Sequence, residues 1–138
     1  MVRLLDRATC DESHDRFIRR VIESEIVWYL NHPDGVANSC SNEDDETTIL
    51  MFWSDQAYAR RARKNGFEDY EEKSMDLFDF LFRWLSGMSS DGVLAGTNWT
   101  GDLIGVEINA YELRKEIESR MPEKLKKKHL QWYKERTK

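Results

Sequence analysis

Apolar residues recur along this chain with two periods, and the alternation between them lays out the elements. Phe17, Ile18, Val21 and Ile22 are spaced as on one helix face, so the pattern predicts a first helix over about residues 10–24. Thr9-Cys10-Asp11-Glu12 has the form of a capping box, whose hydroxyl and carboxylate satisfy free N–H groups at a helix start. Ile26-Val27-Trp28-Tyr29-Leu30 is a β-branched and aromatic run of strand length. Asn31-His32-Pro33-Asp34-Gly35 holds turn residues, so Val36 onward is expected to return as the second strand of a hairpin. Thr47 to Trp53 reads as the next strand. Ser54-Asp55 then supplies an N-cap and a first-turn acid for a helix to about Lys64. Ala57, Tyr58, Ala59 and Ala62 are expected inward, with Gly66 as a left-handed cap.

Phe67 to Met75 reads as a short, more exposed strand, because acids interrupt its apolar positions irregularly. Asp76 opens a third helix carrying Leu77, Phe78, Leu81, Phe82, Trp84, Leu85 and Met88, the densest apolar element and the expected centre of the core. After Asp91-Gly92, Val93 to Gly96 and Ile104 to Ile108 predict a second hairpin around Asn98-Trp99-Thr100-Gly101-Asp102. A helix begins near Asn109, and Pro122 restarts a basic amphipathic helix. The order is α-β-β-β-α-β-α-β-β-α-α. It implies a single α+β domain: a mostly antiparallel sheet of about five to six strands with helices packed on it. Residues 1–120 form the domain, and 121–138 a basic helix appended to it.

Composition narrows this further. The 138 residues are 40% hydrophobic and 34% charged, against about 25% charged in an ordinary globular chain. Five Trp, six Phe and five Tyr supply the bulky apolar surface that disordered chains lack. The net charge of −5 averages two unlike regions: residues 1–113 hold 11 basic and 22 acidic side chains, net −11, and residues 114–138 hold 10 and 4, net +6. The chain is an acidic body with a basic tail. The four consecutive acids Glu43 to Glu46 repel one another and predict an exposed loop tip.

Few side chains offer chemistry. Cys10 and Cys40 lack metal-ligand spacing, so zinc is not expected and both read as free thiols. The N-terminus lacks a secretory apolar run, and no stretch approaches the ~18 residues of a membrane span. A cytoplasmic protein without membrane contact is expected. His14, His32 and His129 lie beside no nucleophile in a known pattern and are expected at the surface. Walker, Gly-x-Ser-x-Gly and Gly-x-Gly-x-x-Gly motifs are absent. Glu43-Asp44-Asp45-Glu46 lacks the ligand spacing of a calcium loop. Glu68, Asp69, Glu71 and Glu72 read as solvated rather than as general acids and bases. No cofactor and no metal are expected.

Two features remain as binding candidates. Lys126, Lys127 and Lys128 with Trp132 combine charge and stacking as nucleic-acid binders do. Leu125, His129 and Trp132, four and three apart, equally describe a helix that docks on the body, or on a second copy, with its lysines in water. Trp28 and Trp84 sit in apolar runs and are expected in the core. Trp53, at a strand end, and Trp99, in a polar loop, are candidate anchors for a partner. Trp99 folded over the sheet edge is the alternative.

Val27 to Leu30, Leu50 to Asp55, Phe80 to Leu85 and Asp91 to Trp99, read as ordered aromatic and glycine signposts, resemble a family of small bacterial proteins catalogued as domain of unknown function 2750. The resemblance covers about residues 26–117. It implies a fold and no reaction, and it carries no functional residue over. The expected function is that of a non-enzymatic protein-interaction module, inhibitor-, immunity- or adaptor-like, monomeric or homodimeric, whose acidic body suits a basic protein partner. Nucleic-acid binding through the basic helix is the second reading, and an enzyme built from surface carboxylates the third.

Overall fold

Period-two alternation along the strands divides their side chains between two separate cores. The computed structural model describes residues 2–41, 46–99 and 105–136, with side chains from Thr9 onward. The elements run α1 (Val2–Ser24), β1 (Ile26–His32), β2 (Gly35–Val36), β3 (Asn38–Cys40), β4 (Thr48–Phe52), α2 (Gln56–Arg63) and β5 (Glu71–Asp76). A continuous rod follows: α3 (Leu77–Asp79), a π-helical turn (Phe80–Trp84) and α4 (Leu85–Asp91). β6 (Leu94–Thr97), β7 (Val106–Asn109), α5 (Ala110–Arg120) and α6 (Glu123–Arg136) complete the chain. The fold is α+β, as the pattern predicts. Residues 43–45 of the acidic run and the hairpin tip at 100–104 lie outside the described residues, and Glu46, which ends that run, is exposed.

The pairing is mostly antiparallel, as expected, but the strands are more numerous and fall into two sheets. Among the described residues, seven short strands form a three-stranded sheet, β2-β1-β5, and a four-stranded one, β3-β4-β6-β7. The extra strand arises because the returning arm of the first hairpin splits. It pairs with β1 at Asn31↔Val36 and His32↔Gly35, bends at Ala37, and continues beside β4 as β3. Ala37 joins both sheets: its N–H donates to the Leu30 carbonyl at 2.9 Å, and its carbonyl accepts from the Met51 N–H at 3.3 Å. A second junction is the Trp28–Trp53 bridge, with backbone bonds of 2.8 and 2.9 Å. β4 and β6 are parallel, with Ile49 opposite Leu94 and Phe52 opposite Thr97; the other described ladders are antiparallel. Parallel neighbours need a long crossover, here α2, β5 and the helical rod.

On β1, Val27 and Tyr29 face one core while Trp28 and Leu30 face the other; on β4, Leu50 and Phe52 separate likewise from Ile49 and Met51. The first core is closed by α1 (Phe17, Ile18, Val21), the rod (Phe80, Leu81, Leu85) and α5 (Leu113, Ile117). α2, through Ala59 and Ala62, and Trp99 close the second. A strand covered on both faces must be apolar at successive positions, which is why β4 reads as an unbroken hydrophobic run. Full burial of a Phe or Leu contributes roughly 1.5–3 kcal/mol, so Phe17, Phe52, Phe80 and Leu81, all at 0% exposure, make the first core the main source of stability.

Several helix ends stand where local chemistry puts them. Asp76 accepts from the Phe78 N–H at 2.8 Å, Asn109 accepts from Tyr111 and Glu112 at 2.8 and 3.2 Å, and Gly92 closes α4 at φ +69°. Two local readings are corrected. Residues 9–12 lie inside α1 and not at its start, because the Arg-, Leu- and Ala-containing stretch before them favours helix and extends it back to Val2. Asp55 stands at the N-cap of α2 but makes no capping bond, since Arg20 and Ser54 engage its carboxylate. Ala57, expected inward, is exposed.

Candidate functional site

Trp53 and Trp99, the expected anchors, are 1% and 2% exposed, so neither indole projects from the surface. The Trp53 Nε1–H donates to the Trp99 carbonyl at 2.9 Å, and the Trp99 Nε1–H donates to the Val106 carbonyl at 2.8 Å. Trp99 folds back across the β6–β7 hairpin over two glycines. A Cβ at Gly96 would lie 2.6 Å from its Nε1, and one at Gly105 would lie 2.1 Å from its Cδ1. The indole fits only because both positions lack a side chain. Both tryptophans pack within the second core.

What Trp99 does form is the wall of a pocket of about 120 Å³, lined also by Ser13 and Arg16 of α1, Tyr58, Arg61 and Ala62 of α2, and Asn98. Its position follows from the parallel pair. β4 and β6 end side by side, and ligands in open α/β sheets bind at such carboxyl ends. Asn98, at φ +52°, adopts the left-handed backbone that Asn tolerates better than most residues. Its N–H donates to the Phe52 carbonyl at 2.9 Å, its Oδ1 accepts from the Ser54 N–H at 2.8 Å, and its Nδ2 donates to the Ser13 carbonyl at 3.2 Å and to Ser54 Oγ at 3.0 Å. One amide therefore ties both strand ends to α1. Behind the pocket, His14 Nδ1 meets Thr97 Oγ1 at 2.7 Å and His14 Nε2 meets Glu116 at 2.8 Å, fixing α1 against β6 and α5.

The pocket is positive. Among the described residues Arg16 and Arg61 make no ion pair, while every other arginine with a described side chain makes one. Asp11, Glu12 and Asp15 border Arg16 on the α1 surface, and the charge of Asp55 reaches it; Asp55 is itself engaged, since Arg20 donates to its two oxygens at 2.7 and 2.5 Å and the Ser54 hydroxyl donates at 2.6 Å. Burial pushes the Asp55 carboxyl up, but the bonds from Arg20 and Ser54, with the charges of Arg20 and Arg16, outweigh it and hold the group below its ordinary value. Arg20 is raised in turn, first by its hydrogen bond to Asp55 and then by that charge. Arg61 lies over the Tyr58 ring at 5.9 Å.

Such an arrangement binds anions. Paired guanidiniums with hydroxyl donors suit carboxylate or phosphoryl oxygens. Among the described residues no group of three His, Cys, Asp or Glu side chains could hold a metal ion. Thr97, His14 and Glu116 have the connectivity of a nucleophile, a base and an orienting acid. Thr97, however, is 0% exposed, so no substrate reaches its hydroxyl in this conformation.

The basic helix is docked on its own chain. Leu125 is buried, Trp132 packs on Phe78 and Phe82, and Tyr133 packs on Phe82. Arg136 covers Trp132 at 4.1 Å. Lys128 pairs with Glu25 at 2.7 Å, while Lys126 and Lys127 are exposed. The tail residues therefore do not share one open face: Trp132 faces the body and the lysines face water. His14 and His129, expected at the surface, have side chains only 13% exposed and hydrogen-bond Glu116 and Glu118. The His129 bond holds the Glu118 carboxyl below its usual range, against burial and with help from Arg114. Glu72, expected to be solvated, accepts from Gln56 at 3.1 Å and pairs with Arg60 and Arg63 at 3.4 and 3.3 Å. Trp28 and Trp84, expected in the core, are half-buried.

Nothing in the spacing of Arg16, Tyr58 and Arg61 sets them apart from solvated helix positions. The one legible signal was the polar triplet around Trp99. Neither the curated proteins nor the solved structures contain a match to this chain. A family model does match, and its span begins at His14, taking in Arg16 and the pocket residues that follow while stopping before α6. From residues 14–117, the chain belongs to the family described as protein of unknown function (DUF2750).

Proposed function

We propose that the chain is a non-enzymatic interaction domain, adaptor- or inhibitor-like and cytoplasmic, which seats an anionic group of a protein partner between Arg16 and Arg61. The observation that carries this reading is the convergence of two unpaired guanidiniums on one pocket in a molecule whose other described arginines are paired. Two guanidiniums in the wall of one small pocket both favour an anion there. At about 120 Å³ the pocket is smaller than the ~300–1,000 Å³ of small-molecule sites. It therefore admits one group, such as a side chain or chain end, rather than a whole metabolite. The acidic body still favours a partner that is basic overall, because long-range steering follows net charge while the seated group is read locally.

The test is an NMR titration of the full chain with sodium acetate and sodium phosphate at low ionic strength. Shifts are expected at the Arg16 and Arg61 Nε–H, the Asn98 side-chain amide and the Trp99 indole, and they should vanish in an Arg16→Ala/Arg61→Ala double variant that retains its fold. Anion-independent spectra, or a double variant responding like the parent, overturn the reading.

A further inference from the structure

Resting on that reading, we propose that the group the pocket takes is a phosphomonoester dianion rather than a carboxylate. Charge is the first ground. Arg16 and Arg61 line the pocket and bring two formal positive charges with no ion-pair partner among the described residues, and Asp55, whose charge reaches Arg16, is shared with Arg20 and Ser54 and offsets them only in part. A carboxylate leaves one charge unmatched. A phosphomonoester carries about −1.5 to −2 at neutral pH and matches both.

Donor number is the second ground. Each guanidinium offers a planar fork suited to two oxygens. The Ser13 and Tyr58 hydroxyls, which also line the pocket, make no hydrogen bond within the described protein. These four groups come from two helices, α1 and α2, and surround a space too small for a nucleoside. Three phosphoryl oxygens and an ester oxygen can use all four, whereas two carboxylate oxygens cannot. Trp99 and Ala62 add apolar wall for the carbon that bears the ester. The Asn98 amide is committed to Ser13 and Ser54 and holds the frame without joining the ligand. The same chemistry arises from a phosphorylated side chain of a partner protein or from a free phosphate ester.

The experiment compares methyl phosphate, methyl sulfate and acetate on the full chain, followed by a phosphoserine peptide and the same peptide with glutamate in that place. Methyl phosphate is expected to bind about tenfold or more tighter than acetate, the margin that one additional charge-assisted contact supplies. Its affinity should rise between pH 5 and 7.5 as the second phosphate proton is lost near pH 6, while methyl sulfate, a monoanion throughout, shows no rise. Arg16→Gln and Arg61→Gln should each abolish most of that margin, and Arg16→Lys, which keeps the charge without the fork, should retain part of it. Acetate binding as tightly as methyl phosphate overturns the phosphoryl assignment and leaves the anion-binding reading standing; no anion binding overturns both. A phosphoserine peptide that binds more tightly than methyl phosphate identifies a phosphoprotein as the source. Equal affinities identify a small ester.

Discussion

The pocket and the C-terminal helix are both basic, yet they are basic in opposite ways. In α6, six of 14 residues are Lys or Arg, and most of them diverge into water while Leu125 and Trp132 pack onto Phe78 and its neighbours. In the pocket only two arginines take part, but they come from separate helices and converge on a space that no carboxylate fills. The difference teaches that cation density along a chain measures solvation, whereas a binding site requires cations whose directions intersect. Divergent lysines are already stabilised by water and mobile counterions. Two guanidiniums that line one pocket with no carboxylate in its wall can share a single anion.

That contrast can be broken most forcefully at Trp99, which belongs to the second core and to the pocket. Trp99→Ala should lower stability by about 3–5 kcal/mol in urea denaturation and abolish the anion response, because the wall goes with the core. Gly105→Ala should act in the same direction by about 1–3 kcal/mol, since its Cβ would overlap the indole. If Gly105→Ala left both stability and anion response unchanged, the close approach of Trp99 would be wrong.

Trp132→Ala tests the other side. It should cost about 2 kcal/mol, roughly half the value for a fully buried aromatic, and raise hydrogen exchange across α6 while leaving anion affinity at the pocket intact. A smaller effect comes from pH. Glu118 and Asp55 both have carboxyls held below their ordinary values in the folded protein. Their contributions are present above the ordinary carboxylate range, about 3.9–4.3, and are lost as pH falls through the lowered folded values. Acidification should therefore loosen α6, and Glu118→Gln should remove the part of that acid sensitivity that hydrogen exchange reports at α6. The smallest effect is expected from Lys126→Glu/Lys127→Glu: stability should change by less than about 0.5 kcal/mol, and anion affinity at the pocket should stay within about twofold, because screening isolates exposed charges beyond ~8–10 Å.

Periodicity, turn residues and caps made much of the fold legible: the first hairpin, the doubly buried β4, and the ends at Asp76, Gly92 and Asn109. These are signals within a few residues of one another, so local sterics and hydrogen bonding suffice to produce them. The parallel pairing of β4 with β6, the bend at Ala37 and the joining of Trp28 to Trp53 were not legible, since each depends on segments far apart in the chain. The site was harder still. Trp99 resembles an exposed anchor until Gly96 and Gly105 are seen to make room for it, and Arg16 and Arg61 resemble any solvated helix residue.

By itself, then, the sequence determined the α+β class, the positions of most elements and the opposite charges of body and tail, because propensity, periodicity and ionisation belong to residues and their near neighbours. Only the tertiary structure decided that α6 lies on its own chain, that Asp55 is taken by Arg20, and that Arg16 and Arg61 are left facing one pocket. Pairing is a property of distances in space, and residues 45 positions apart acquire such a distance only when α1, α2 and the ends of β4 and β6 are packed together.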